Sequence, residues 1–307
     1  MPNVWTHIYF GEVLLERTGI LKLNDNTEPY FNFGTQGPDP FFYHNFWPWR
    51  STPVTEVGDR IHHEHCGEFL IKLIDYTKDR LDDEKLTVFT TGFITHHILD
   101  RNTHPYINYR SGTEGNRHQK LEIIIDTLMM KKHKNIETWK TPVYKKLAIG
   151  KTLHESIDTM LKDTIKSTFP GLHEKMPNGY VQQSYHHMKK ALRVLFDPSG
   201  WKNKLLKERI DPFSYQKHID DIDYLNESKT PWVHPAQADE RHEESFIELF
   251  ELTIDEGTEV LTLLKGYWFE NDLEKYDQLR EKLGNVCYDV GKDLSLRLEN
   301  KHYEPIL

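Results

Sequence analysis

The sequence has few cysteines, no long apolar run and no excess of basic residues. Among its 307 residues the only cysteines are Cys66 and Cys287, which lie far apart in the chain. A disulfide framework of the kind that stabilises small secreted domains is therefore not expected. No apolar stretch approaches the roughly 18 residues of a transmembrane helix, and the N-terminus lacks a basic segment followed by an apolar run. We therefore expect a cytoplasmic protein without a signal peptide or a transmembrane segment.

The charge balance argues against a protein that coats nucleic acid. Lysine and arginine number 39 against 48 acidic residues, which gives a net charge of −9. Phosphate backbones repel such a surface, although nucleotides held by a local metal cluster are compatible with it. The same charge disfavours adhesion to an anionic bilayer. The length fits one large domain, and 12% aromatic residues favour a sizeable core.

Helical spacing of apolar residues dominates the chain. The segments with this pattern are 4–23, 58–81, 86–97, 118–134, 154–169, 181–196, 243–268 and 273–299. Residues 31–49, rich in glycine and proline, and the polar segment 210–235 are predicted to be loops. No alternating strand pattern is evident, so we predict an all-α fold, a single multi-helix domain. Within it, residues 1–135 are expected to form a metal-binding core on which residues 136–307 pack, as one continuous domain.

Two pairs of metal-ligating side chains stand at helical spacing. His96 and Asp100 are four residues apart, and so are His118 and Glu122. On an α-helix each pair lies on one face about one turn apart. Imidazoles and carboxylates without a thiolate suit zinc, and also manganese or iron. The two segments together therefore predict a metal cluster between facing helices.

Two further candidates lie between these pairs and upstream of them. His104 directly precedes Pro105, where we expect the first of the two helices to end. Asp39 lies in a Gly-Pro-Asp-Pro sequence, whose prolines restrict the backbone and fix the direction of its carboxylate. Together with the two pairs, these residues strengthen the prediction of a metal cluster.

Other histidines are ambiguous when taken singly. His7 lies on the predicted first helix, and a lone histidine is more often a structural or surface residue than a ligand. His62, His63 and His65 crowd the start of one helix and cannot all bind at one site. The aromatic residues of segment 41–49 either pack on the core or line a cleft.

The order and spacing of these residues resembles the zinc-dependent phospholipase C family, which is related to the single-strand-specific zinc nucleases. The sequence GPDPFFY around Asp39, the HxxxDxxxHPYI run from His96 and the HxxxLExxID run from His118 are similar to an intracellular bacterial branch of that family. The resemblance is strong over about residues 1–130 and weaker beyond them. It implies an all-α fold with a cleft that holds two or three zinc ions.

The resemblance also implies a distribution of ligands. One ion would take His96, Asp100, Asp39 and one of His62 and His63, a second would take His104, His118 and Glu122, and Asp100 would bridge to a third ion helped by His7. In secreted members the processed N-terminal tryptophan supplies its amine and carbonyl to the third ion. This sequence has Met1-Pro2 instead, so we expect weaker binding of that ion.

The implied function is a metal-dependent phosphoesterase, in which a zinc site activates water on a phosphate ester. Asp39, held by a rigid loop, is the candidate to orient this water or act as general base. The substrate is either a phospholipid, entering along the aromatic segment 41–49, or a soluble phosphorylated metabolite or nucleotide. An HD-type phosphohydrolase is disfavoured because the sequence has no adjacent His-Asp pair. The alternative from another class is a non-catalytic metal-binding or interaction protein that kept the fold.

Overall fold

The computed structural model describes residues 3–47, 52–206 and 210–307, which form twelve α-helices and one two-stranded antiparallel sheet. The helices are α1 (Val4–Thr18), α2 (Glu28–Gly34), α3 (Thr55–His63), α4 (Cys66–Lys78), α5 (Glu84–Ser111), α6 (Arg117–Lys134), α7 (Glu155–Thr168), α8 (Pro170–His173), α9 (Tyr180–Leu195), α10 (Trp201–Leu206), α11 (Phe246–Glu270) and α12 (Leu273–Leu283). The strands are β1 (Trp232–His234) and β2 (Gln237–His242). The predicted all-α fold class is confirmed, since this hairpin is the only sheet among the described residues.

Helix α5 forms the centre of the fold. Nearly all of its 28 residues are buried, because α1, α2, α4, α6 and α11 pack around it. A helix enclosed in this way needs no single apolar face, so polar residues on it become buried as well. Its contact with α2 is unusually close: a Cβ added at Gly92 would lie 2.6 Å from the carbonyl oxygen of Phe31. This approach brings the segment that follows α2, including Asp39, against α5.

The prediction that the helix ends before Pro105 is wrong. α5 continues through Pro105 to Ser111. A proline ring inside a helix removes the hydrogen bond to the carbonyl four residues earlier, here that of Arg101. Gly291 lies against this carbonyl oxygen, and an added Cβ there would be 2.1 Å from it. The helix therefore passes the proline where another part of the chain packs closely against the freed carbonyl.

Other element boundaries also differ from the predictions. Segment 58–81 is divided into α3 and α4 at His65, whose φ of 53° interrupts the helix. Segment 31–49 contains the end of α2 and a 3₁₀ helix at Asp39–Tyr43, so it is not simply a loop. The helix predicted for segment 273–299 ends at Leu283, because the next residue, Gly284, takes a positive φ of 56°. Residues 48 and 49 of the aromatic segment 41–49, like Met1-Pro2, lie outside the described residues.

The start of α1 is fixed by a buried carboxylate from α6. Asp126 accepts hydrogen bonds from the backbone N–H groups of Trp5 and Thr6, both at 2.9 Å, and from the hydroxyl of Tyr215 at 2.6 Å. These amides belong to the first turn of α1, where backbone donors have no partner within the helix. The contact couples the orientation of α1 to that of α6.

After α12 the chain returns across α5. The guanidinium of Arg101 donates to the carbonyl of Leu283 at 2.7 Å, and the N–H of Glu304 donates to the carbonyl of Tyr109 at 2.8 Å. The C-terminal segment thus packs along the central helix, and the division into a core at 1–135 and a packed region at 136–307 stays a prediction. Among the described residues, no helix is both long and apolar enough to cross a membrane.

Candidate metal centre

Three groups of nitrogen and oxygen donors converge beside α5. The groups are His7, His96 and Asp100; Asp39, His62 and His96; and His104, His118 and Glu122. Within each group the donor atoms lie within 4.8 Å of one another. Every predicted ligand except His63 belongs to one of these groups. The side chains come from α1, the 3₁₀ helix at Asp39–Tyr43, α3, α5 and α6, so the centre forms only when these elements are packed together.

Asp100 lies between three imidazoles. Its Oδ2 is 3.0 Å from Nε2 of His96 and 4.0 Å from Nε2 of His62, and its Oδ1 is 3.2 Å from Nε2 of His7. The rings of His7 and His96 stack with centroids 4.3 Å apart. The Asp100 side chain is completely buried. Its two oxygens point in different directions, which is the geometry of a carboxylate that bridges two positions.

Asp39 lies close to two of the same imidazoles. Its Oδ1 is 3.5 Å from Nε2 of His62 and 3.8 Å from Nε2 of His96. Gly37, with a φ of 48°, allows this approach, because an added Cβ would lie 2.2 Å from Cδ2 of His96. The glycine, together with the prolines beside Asp39, therefore sets the distance between the carboxylate and α5.

Backbone carbonyl groups fix the tautomers of three candidate ligands. A carbonyl oxygen only accepts, so each Nδ1 carries the proton and the lone pair of each Nε2 is directed to the cluster. This is the usual arrangement of a metal-binding histidine. The bonds join His96 to Thr35 at 3.1 Å, His62 to Gly58 at 2.7 Å and His104 to Tyr288 at 3.0 Å.

The third group lies between α5 and α6. His118 and Glu122, one turn apart on α6, have Nε2 and Oε1 2.5 Å from each other. The ring of His104 on α5 lies 5.5 Å from that of His118. The four-residue spacing of the sequence thus does place both α6 donors on the helix face that meets α5.

Many of these donor atoms are buried without a hydrogen-bond partner. They are both ring nitrogens of His7, Oδ1 of Asp39, Nε2 of His96, both carboxylate oxygens of Asp100 and Nε2 of His104. Unpaired buried polar atoms are costly and rare, and their concentration on imidazole and carboxylate side chains fits a site for cations. The mixture of imidazole and carboxylate fits zinc.

The environment shifts the pKa values of the donors in different directions. Burial, helped by the nearby His96, lowers the pKa of His7 to about 4, and burial lowers the pKa of His104 to about 3. Burial would raise the pKa of Asp100, but the imidazoles around it, His96 foremost, hold it well below its usual value. Burial likewise opposes a charge on His96, yet Asp100 and Asp39 raise its pKa. At neutral pH, His7 and His104 are neutral and Asp100 is ionised, as ligation requires.

His63 lies apart from the three groups. Its side chain is 45% exposed, and its Nδ1 hydrogen bonds to the carbonyl of Asp59 at 2.9 Å. Its Nε2 is 3.9 Å from Oδ2 of Asp289. Of the two adjacent histidines that the sequence leaves open, the structure directs His62 to the cluster and His63 to the surface and Asp289.

Asp289 and its neighbour Tyr288 are supporting residues that the sequence does not reveal. Asp289 accepts a hydrogen bond from Nδ2 of Asn108 at 2.8 Å, and its Oδ1 lies 3.6 Å from Nδ1 of His104. The backbone N–H of Tyr288 donates to the carbonyl of His62 at 3.2 Å. Neither residue belongs to a spacing pattern, and nothing in the sequence indicates that the loop after α12 reaches the centre.

The two cysteines support the same region as free thiols. Sγ of Cys66 and Sγ of Cys287 both hydrogen bond to the carbonyl oxygen of His62, at 3.3 and 3.4 Å. Burial raises the pKa of both thiols. They therefore act here as uncharged donors that hold the end of α3.

Comparisons with known proteins identify the family of this chain. Neither the curated proteins nor the solved structures give a match to this chain. A family model described as zinc-dependent phospholipase C matches residues 6–171. The matched stretch holds all the donors of the three groups and ends before the loop that contains Tyr288. Since the match spans more than half of the 307 residues, the chain belongs to the zinc-dependent phospholipase C family.

Proposed function

We propose that this protein is a zinc-dependent phosphoesterase that hydrolyses a phosphodiester, or a phosphomonoester, with two or three ions held at the three groups. The observation that carries the proposal is the convergence of nitrogen and oxygen donors from five elements. Those of His7, Asp39, His96, Asp100 and His104 include buried atoms without a hydrogen-bond partner. Manganese and iron also bind imidazole and carboxylate donors, but this donor set is less specific for them than for zinc. When bound, such ions act as Lewis acids toward a phosphate oxygen and lower the pKa of water.

The proposed ligands follow the three groups. His62, His96 and Asp39 would hold one ion, and His104, His118 and Glu122 a second. His7 would hold a third, with Asp100 bridging between it and the first. The buried position of Asp100 and the fixed tautomers of His62, His96 and His104 keep these donors in place before any ion binds.

We assign the proton-accepting role to Asp39 rather than to Asp100. The side chain of Asp39 is 12% exposed, whereas that of Asp100 is 0% exposed. A general base must reach both the attacking water and solvent, to which its proton is finally released. Asp39 also lies in a short, proline-bounded 3₁₀ helix, which keeps its carboxylate in one direction. The buried, ionised carboxylate of Asp100 instead stabilises positive charge inside the protein.

Phe42 marks the side from which substrate would enter. It is 40% exposed, and its ring centroid is 5.4 Å from that of His62. An exposed aromatic ring beside a metal ligand suits a phosphate ester with an apolar group, which a phospholipid has and a sugar phosphate lacks. We therefore favour phospholipids over soluble metabolites or nucleotides as substrates.

The test combines metal content with turnover. Elemental analysis of the unchelated protein is expected to give two or three equivalents of zinc, and bis-p-nitrophenyl phosphate is expected to be hydrolysed. Asp100→Asn and His118→Ala should each lower kcat/KM at least about a hundredfold, by analogy with the loss of other groups that stabilise transition-state charge. His302→Ala, which removes an exposed histidine in the C-terminal segment, is the control.

Two results would contradict the proposal. One is a protein with full metal content that hydrolyses no phosphate ester in a panel that includes phospholipids, nucleotides and sugar phosphates. This result would favour a metal-binding protein without catalysis. The other is a protein whose activity survives both ligand substitutions, since the hydrolysis would then not arise at this centre.

A further inference from the structure

Helix α10 and the end of α9 expose apolar side chains in a way that is unusual for surface helices. Trp201 and Leu205 are 58% and 71% exposed, and no residue of α10 is buried. Leu206 on α10 and Val194 on α9 are exposed as well. A surface helix normally directs its apolar face to the core. Here the apolar side chains face solvent.

Polar contacts explain how α10 is held in this orientation. Asp197, which is buried, accepts hydrogen bonds from the backbone N–H and the Nδ2 of Asn203, at 2.9 and 3.2 Å. Nζ of Lys202 donates to the carbonyls of Val194 and Phe196 at the end of α9, at 2.7 and 2.9 Å. The helix is thus attached to the fold by its polar side chains, and its apolar side chains are left for another contact.

Basic side chains lie close in sequence to these apolar residues, at the end of α9 and on α10. Arg193 and Lys204 are exposed, and no acidic side chain of the described residues forms an ion pair with either. Nζ of Lys190 lies 5.7 Å from the ring centroid of Trp47, whose ring in turn stacks on Phe46. Although the protein has a net charge of −9, Arg193 and Lys204 thus provide positive charge that no acidic side chain among the described residues neutralises, on the same segment as the exposed Trp201 and Leu205.

We propose that this patch, formed by Arg193, Val194, Trp201, Lys204, Leu205 and Leu206, binds the surface of an anionic lipid bilayer. Tryptophan and leucine enter the boundary between headgroups and acyl chains, while lysine and arginine contact the anionic headgroups. The bilayer offers acyl chains to the apolar side chains and anionic headgroups to the basic ones. The negative charge of the whole protein does not prevent this binding, because the attraction between the basic side chains and the headgroups acts only within a Debye length of the surface.

Other occupants fit less well. A symmetric dimer would place the patch against its own copy, and the arginine and lysine would then repel each other. Nucleic acid would accept the positive charge but would leave the aliphatic side chains of Val194, Leu205 and Leu206 exposed to water, since its backbone offers them no apolar surface.

The patch is connected to the proposed centre through α9. This helix packs against the 3₁₀ helix that carries Asp39. Nδ1 of His187 on α9 accepts a hydrogen bond from the N–H of Asn45 at 3.1 Å, and His44 pairs with Gln183 at 3.3 Å. α9 thus links the patch at its end to the element that carries Asp39 and the exposed Phe42. Any consequence of this link for catalysis rests on the proposed function, whereas binding itself does not.

Vesicle sedimentation tests the proposal with the full chain. Vesicles of phosphatidylcholine containing about a third phosphatidylglycerol should pellet the protein, raising the salt from 0.1 M to 0.5 M should release it, and pure phosphatidylcholine should bind it weakly. Arg193→Glu with Lys204→Glu should lower the partition coefficient at least about thirtyfold, because each cation near an anionic surface contributes about fivefold. Leu205→Ser should lower it about tenfold.

Matched controls are available in the same chain. Leu273 is 69% exposed, so Leu273→Ser makes the same change at a leucine outside the patch. Lys22→Glu with Lys131→Glu gives the same net charge as the double patch variant, at exposed lysines. Both controls should sediment like the unmodified protein. All the substituted residues are exposed, so loss of the fold is not expected, and circular dichroism verifies this.

Three outcomes would overturn the proposal. The protein could fail to sediment with anionic vesicles, or the patch variants could bind as well as their controls. A labelled oligonucleotide could bind in a manner that depends on Arg193 and Lys204 but not on Leu205, which would assign the patch to nucleic acid. If the protein hydrolyses the soluble ester but does not bind vesicles, only the proposed membrane-binding patch is refuted. If it binds vesicles but hydrolyses no ester, only the proposed function is refuted.

Discussion

Replacing Gly37 by alanine tests whether the position of His96 controls the whole centre. Gly37 has a φ of 48°, and an added Cβ would lie 2.2 Å from Cδ2 and 2.5 Å from Cγ of the His96 ring. His96 is buried and belongs to two of the three donor groups, so it has no free space into which to move. The substitution therefore displaces either the ring or the segment that carries Asp39.

The expected loss of stability has two parts. A residue with a Cβ in the left-handed region costs about 1–2 kcal/mol relative to glycine. Forcing an extra methyl group into a packed interior costs about 1–3 kcal/mol. We therefore expect Gly37→Ala to lower the free energy of unfolding of the chelated protein by about 2–5 kcal/mol. Since a misplacement of about 1 Å at a reacting centre can cost about a hundredfold in rate, turnover should fall to a similar degree.

Gly115→Ala separates the cost of the left-handed backbone conformation from the cost of the contact with His96. Gly115 has a similar φ of 59°, but an added Cβ there would meet nothing within 4 Å. The control should lose only the backbone contribution and should keep its zinc content. Urea denaturation after chelation gives the stabilities, and elemental analysis gives the metal content. Equal stability, zinc content and turnover in the two variants would refute the argument that Gly37 sets the distance to His96.

Three further predictions concern the surroundings of the centre. Burial lowers the folded-state pKa of His7 to about 4 and that of His104 to about 3, whereas in the unfolded chain both histidines are protonated near pH 6.5. The free energy of unfolding of the chelated protein should therefore fall as the pH decreases from 6.5 to 4. A flat pH profile in urea denaturation would contradict this. Asp289→Asn should weaken zinc binding about tenfold in competition with a chelator, while the exposed Asp277→Asn should not. Asp126→Asn should cost about 1–3 kcal/mol of stability, and an unchanged unfolding midpoint would show that α1 does not depend on it.

The sequence predicts the site best where ligand chemistry and helical spacing coincide. The spacing of His96 and Asp100, and of His118 and Glu122, placed each pair on one face, and the structure brings both pairs to the same region. The Gly-Pro-Asp-Pro sequence predicts a rigid carboxylate at Asp39, and the structure places this carboxylate among the donors. These features are local, because a helix turn or a pair of prolines acts on neighbouring residues only.

Features that depend on distant parts of the chain were not predictable. Pro105 was expected to end a helix, and only the close packing of Gly291 shows how α5 continues past it. The role of Tyr288 rests on a backbone carbonyl, which every residue has, so no side-chain pattern could reveal it. The choice between His62 and His63 was also left open, since adjacent residues differ only in the direction that the folded helix gives them.

The return of the C-terminal segment has a consequence for protein engineering. The carbonyl that sets the tautomer of His104 comes from a residue 184 positions later, and this residue lies outside the stretch that matches the family. A shortened chain made only from residues 6–171 would keep all the donors but lose that acceptor. Anyone transplanting this half onto another scaffold would have to supply a replacement carbonyl, or the imidazole would be free to turn its protonated nitrogen inward.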